Sequence, residues 1–107
     1  MRAEAAQHAL QEYPRESCGL VVMVNDAARY VPCRNLADGA DQFILDPLDY
    51  LQADALGEIV GVVHSHPDAP AEPSQADLEA QKATGLPWHI VSVPRLNWHS
   101  FGDNTAC

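Results

Sequence analysis

Between Arg34 and Lys82 the chain contains no lysine or arginine. Over all 107 residues there are six, against fifteen Asp and Glu, a formal charge of −9 at pH 7. Such a chain repels phosphate backbones and anionic lipid, so neither nucleic acid nor a membrane is an expected partner. Cysteine is also scarce. Three residues are too few and too odd in number for a disulfide framework. Cys18 and Cys33 lie in apolar, strand-like stretches and read as reduced core thiols. A two-residue loop at Asn25-Asp26 would set them opposite each other, with a cross-strand disulfide as the alternative. Cys107 reads as exposed and not as a nucleophile. No apolar run approaches the ~18 residues of a membrane span, and no basic-then-apolar leader opens the chain, so the cytoplasm is the expected compartment. C-x-x-C pairs, H-E-x-x-H, G-x-S-x-G and a glycine-rich phosphate loop are all missing, and no P-C-x-x-C follows any histidine.

What is present is an ordinary globular composition, 47% apolar, in a length that suits one domain, 1–107. Repeats and linkers are absent. Ala3, Ala6, Leu10 and Tyr13 recur at helical spacing up to Pro14, predicting an N-terminal helix over 3–12. Residues 18–24 (CGLVVMV) and 29–33 read as a hairpin, and Phe43-Ile44-Leu45 as a brief third strand. Asp46-Pro47 carries the N-cap and first-position signals of a helix. Leu48, Leu51, Ala55 and Leu56 form its expected apolar face, and Gly57 its stop. Residues 59–63 (IVGVV) suit a strand covered on both faces. Ser74 opens a helix to about residue 83, and 88–93 and 96–101 read as the last strands. The mixture predicts one α/β domain with a mixed sheet flanked by two to three helices.

The chemistry is concentrated in the base-free window, which holds ten of the fifteen acids. That window is either a solvated acidic face or a region that attracts a cation. Within it stands His64-Ser65-His66-Pro67, then Ser74-x-x-Asp77. Residues two apart on a strand point the same way, so His64 and His66 aim at one point and Ser65 aims opposite. A short proline-rich loop returns a helix N-terminus carrying Asp77. Two imidazoles and a carboxylate at a strand end make a three-ligand zinc site with a fourth position for water. Glu16, just before the first strand, is the candidate general base, and the Ser74 hydroxyl a candidate donor to a developing oxyanion. Each piece has a plainer reading. An H-x-H pair can be packing or surface, Ser74 and Asp77 can be a capping box, and Glu16 can be an acid after a helix. His8, His89 and His99 read as structural or surface residues.

Together, Glu16-x-x-Gly19, His64-x-His66-Pro67 and Ser74-x-x-Asp77 resemble the JAMM motif of MPN-domain (JAB1/MPN/Mov34) metalloproteases. The resemblance covers nearly the whole chain. It implies a cytidine-deaminase-like MPN fold, zinc on His64, His66 and Asp77, Glu16 as general acid/base, and Ser74 stabilising a tetrahedral intermediate. It also implies hydrolysis of peptide or isopeptide bonds, with a protein or peptide substrate such as a ubiquitin-like protein. Glu16-Ser17-Cys18-Gly19, Tyr30-Val31-Pro32-Cys33, Leu51-Gln52-Ala53 and Leu86-Pro87-Trp88 are further similar to the N-terminal domain of phage tail-assembly proteins of the K type. That likeness implies a role in phage tail assembly. Such proteins usually continue into an NlpC/P60-type cysteine peptidase domain. A non-enzymatic tail-tip module and a bacterial peptidase acting on sulfur-carrier proteins are the alternatives.

Overall fold

The computed structural model describes residues 1–39 and 41–102. Three helices and five strands follow in the order α1 (Arg2–Glu12), β1 (Cys18–Val24), β2 (Ala27–Cys33), α2 (Pro47–Leu56), β3 (Glu58–Pro67), α3 (Gln75–Thr84), β4 (Trp88–Val93) and β5 (Trp98–Phe101). The strands form one mixed sheet in the order β2-β1-β3-β4-β5, parallel only between β3 and β4. That parallel pair is joined through α3, as a crossover requires. Cys107 lies outside the described residues.

The hairpin is as the sequence predicts. Asn25 and Asp26 both take positive φ, 51° and 66°, which is the two-residue turn matched to strand twist. It pairs Cys18 with Cys33, and both thiols are free and buried. Burial pushes each up to about 12, so they remain protonated core groups.

Several expectations are corrected. Residues 43–45 are not a strand and contribute a single bridge, Asn35 to Leu45. In α1 the buried residues are Ala5 and Ala9, while Leu10 and Tyr13 are exposed. In α2 the predicted apolar face points outward, with Leu48 and Leu51 each 62% and Leu56 59% exposed. The cause is polar. Asp46 caps the helix through Leu48 N–H and, with Asp49, grips Arg34, so the inward stripe runs Asp46, Asp49, Ala53. The last strand starts at Trp98 because Leu96 sits in the 94–97 turn with φ 62°.

One face of the sheet packs Val21, Tyr30, Val63, Val91 and Val93 against α1. The other packs Cys18, Leu20, Val22, Cys33, Val62 and Trp88 under Ala53 of α2 and Ala80 of α3. Gly19 is where the Tyr30 ring crosses β1, and a β-carbon there would overlap the phenol. Tyr30 cannot move aside, since its hydroxyl is bonded to His8 Nδ1 (2.6 Å) and donates to the Cys18 carbonyl (3.3 Å). Gly19→Ala is therefore expected to destabilise the protein by about 2–3 kcal/mol, measurable by urea unfolding.

Candidate functional site

β3 outlasts β1 at one end: His64 is the last residue paired with β1, and His66 lies in the overhang beyond it. The antiparallel register sets Cys18 opposite His64. Continued by two residues, it brings Glu16 alongside His66. The link is physical: Ser17 N–H donates to Ser65 Oγ (2.7 Å) and Ser65 N–H to the Ser17 carbonyl (3.1 Å). Ser65, pointing away from its neighbouring histidines as expected, thus ties the Glu16 segment to the histidine strand. Sequence reasoning gave Ser65 its direction but no task.

Asp77 arrives from α3. Ser74 is the N-cap, and the capping box is complete: Asp77 N–H donates to Ser74 Oγ (3.1 Å) and Ser74 N–H to Asp77 Oδ2 (2.9 Å). Gly85, at φ 68°, ends this helix in the left-handed conformation that glycine adopts without strain. The plainer capping reading is thus correct as geometry, and it also holds the carboxylate rigidly beside the imidazoles. His64 Nε2 lies 3.2 Å from Asp77 Oδ1, His66 Nε2 lies 3.1 Å from Asp77 Oδ2, and the two Nε2 atoms are 3.2 Å apart.

These three side chains fit a cation. His66 Nδ1 sits 2.9 Å from the Pro70 carbonyl, which can only accept, so in the neutral ring the proton resides there and Nε2 presents a lone pair. That lone pair faces a carboxylate oxygen and a second imidazole, a triangle of electron-pair donors that a cation at its centre relieves. Zinc ligands at ~2.0–2.1 Å in a tetrahedron stand about 3.3 Å apart, close to the spacing seen. His64 is fully buried, stacked on Phe43 (centroids 4.7 Å, 29°) and edge-on to Trp88. Its Nδ1 finds no partner among the described residues. Aromatic contacts, not a hydrogen bond, aim this ring.

Burial lowers the pKa of His64 and keeps it neutral, as a ligand must be. Burial also opposes charge on His66 and Asp77 but is outweighed in both: hydrogen bonds to Asp77 and the Pro70 carbonyl raise His66, and hydrogen bonds from His64 and then His66 hold Asp77 well below the usual carboxylate range, so a cation would take the place of the proton these side chains share. Glu16 is 6% exposed, and burial pushes it up to about 7. It lines a cavity of about 680 Å³ together with His66, Asp77, Ser74, Gln42, Phe43 and Trp88. All five sequence-predicted residues therefore meet at one place, three as a donor cluster and two on the adjoining cavity wall. The other histidines lie elsewhere: His8 on Tyr30, His89 bonded to Ser100 Oγ (2.7 Å), His99 stacked on Phe101.

Comparison with known proteins gives consistent likenesses. The family model for prokaryotic homologues of the JAB domain matches residues 1–103. Tail tip assembly protein K of Escherichia phage N15 is 52% identical over 88 residues, 81% of this chain and 36% of that protein. A probable TtuB-protein conjugate cleaving protease of Thermus thermophilus is 32% identical over 96 residues, 84% of this chain and 62% of that protein. The chain thus spans about a third of the length of the phage relative. Among solved structures, a protein of Desulfitobacterium hafniense superposes with a TM-score of 0.71 at 29% identity, covering 92% of this chain and 75% of that one. A JAB1/MPN domain protein of Archaeoglobus fulgidus gives 0.62 at 21% identity, covering 94% and 82%, and supports the fold. Among the described residues no helix is long and apolar enough to cross a membrane.

Proposed function

The chain belongs to the family of prokaryotic homologues of the JAB domain, and from that membership we propose that it hydrolyses a peptide or isopeptide bond in a protein substrate, with zinc as cofactor, during phage tail assembly. Residues 1–107 act as one such domain. The observation that carries the reading is the triangle of His64, His66 and Asp77 donor atoms beside the buried carboxyl of Glu16.

His64, His66 and Asp77 would hold the zinc, which when bound supplies a Lewis acid and a source of hydroxide at neutral pH. The chain's own residues do the rest. The Glu16 carboxylate takes a proton from the attacking water as the hydroxyl oxygen bonds to the carbonyl carbon. It then returns that proton to the departing amine nitrogen as the C–N bond breaks. A raised pKa suits this double duty, since a group poised near 7 both accepts and gives. Ser74 lies on the cavity wall, and its oxygen already accepts from Asp77 N–H. Its hydroxyl proton is free to serve the developing oxyanion. The low positive charge of the surroundings suits a neutral or basic peptide.

Two of the relatives are named as assembly proteins, which favours a second reading, a scaffold without turnover. The experiment is direct. Protein purified without chelator is assayed for zinc and incubated with a library of linear and lysine-branched peptides, new amines being read by mass spectrometry. Stoichiometric zinc and cleavage that a chelator abolishes and zinc restores are expected. Zinc without cleavage would favour the scaffold, and absence of zinc would overturn the metal assignment.

A further inference from the structure

We infer that Asn35 is a positioning residue of the hydrolytic site, holding the backbone of Glu16 and that of Ala37, Gln42 and Ile44 in one arrangement. The inference rests on the hydrolytic reading above. Asn35 follows β2, is 8% exposed, and spends its whole side-chain hydrogen-bonding capacity on backbone. Its Nδ2 donates to the carbonyls of Glu16 (3.0 Å) and Gln42 (3.1 Å). Its Oδ1 accepts from the N–H groups of Ala37 (2.9 Å) and Ile44 (3.0 Å). Two donors meet two carbonyls and one oxygen meets two N–H groups, so a flipped amide would break all four bonds. The Asn35 backbone adds to this arrangement, bridging to Leu45 and accepting from Arg15, whose guanidinium also reaches the Ala37 carbonyl.

What Asn35 grips gives it a role beyond stability. Glu16 is the proton-moving group, and Asn35 holds its carbonyl. On its other side, Ser17 is tied to the histidine strand through Ser65. The base is thus fixed between two backbone anchors. Gln42 and Ile44 flank Phe43, whose ring stacks on His64, and Gln42 and Phe43 form one wall of the cavity. One amide therefore ties the backbone of the base to the backbone of that wall. Loss of Asn35 would free both without touching a metal-donor atom, and misplacement on the scale of an ångström costs about 100-fold in rate.

The test compares zinc-loaded wild type, Asn35→Ala, Asn35→Asp and a control, Val21→Ala, well below their melting temperatures. Val21 is a core residue on the α1 face, remote from the site. The aspartate variant preserves shape and the accepting oxygen but removes the two donors, so it serves if the alanine variant folds poorly. The probe is the library peptide that wild type cleaves fastest. Hydrogen exchange over 36–45 should accelerate at least about tenfold in the Asn35 variants. Zinc content should match wild type, and kcat should fall about 10–100-fold, more than KM rises. Val21→Ala should keep kcat within about twofold. The inference is overturned if the Asn35 variants lose stability like the control yet keep its kcat, or if exchange over 36–45 is unchanged. If wild type cleaves no peptide while the exchange result is as expected, the hydrolytic reading fails instead, leaving Asn35 a staple in a non-catalytic module.

Discussion

Glu16→Gln is expected to lower turnover by about 10²–10⁴-fold while zinc stays bound, because it removes the buried proton acceptor beside the cluster and none of the three donor atoms. Equal zinc content in the variant and wild type, with cleavage lost only in the variant, is the expected pair of results. Retained turnover would remove Glu16 from its role. The same substitution has a second consequence, visible without any substrate. In metal-free protein the buried Glu16 titrates near 7, against 4.5 in an unfolded chain. Between those values the native state keeps a proton that the unfolded state has released, so stability falls as pH rises through that window and the full penalty is present above it. The scale is on the order of 3 kcal/mol. Glu16→Gln abolishes this slope. Urea unfolding with chelator should find the variant more stable than wild type at pH 8, with the difference shrinking towards pH 4.5.

His64→Ala and His66→Ala should both lose zinc, by well over about 100-fold in affinity, since even outer-shell losses reach that size. Their metal-free stabilities should part. His64 fills the space between Phe43 and Trp88 with no exposure, so truncation leaves a void and costs about 2–4 kcal/mol. His66 is partly open, its ring held by Pro70 and Asp77, and should cost about 1 kcal/mol. Metal analysis with urea unfolding in chelator separates the two. Equal losses in chelator would show that the aromatic packing around His64 does not support it.

The site was legible because alternation on a strand and capping at a helix start are local rules. They fixed the directions of His64, His66, Ser65 and Asp77 from neighbours alone. Glu16 needed a long-range pairing, and the motif spacing supplied what strand periodicity did not. The hairpin was equally legible, since Asn25-Asp26 sets the register that faces Cys18 with Cys33. What failed was the assumption that leucines mark the inner face. In α2 the buried Asp46 cap and the half-buried Asp49, both paired with the exposed Arg34, take the inward positions, and no hydropathy pattern reveals that two aspartates outrank three leucines. The supposed third strand failed for a related reason. Phe43 is held by the site, not by a ladder, and Asn35, which organises it, is a single polar residue with no motif around it.

The overhang of β3 beyond β1 divides the centre by reach along the chain. The three clustered donor atoms lie within one short stretch of polypeptide, His66 and Asp77 being eleven residues apart, whereas the contact that delivers Glu16 closes a loop of 48 residues. Short loops close at lower entropic cost and earlier than long ones. Bringing Glu16 beside the three donor atoms is therefore the costlier closure, while the donor cluster itself needs only the short connection from β3 to α3.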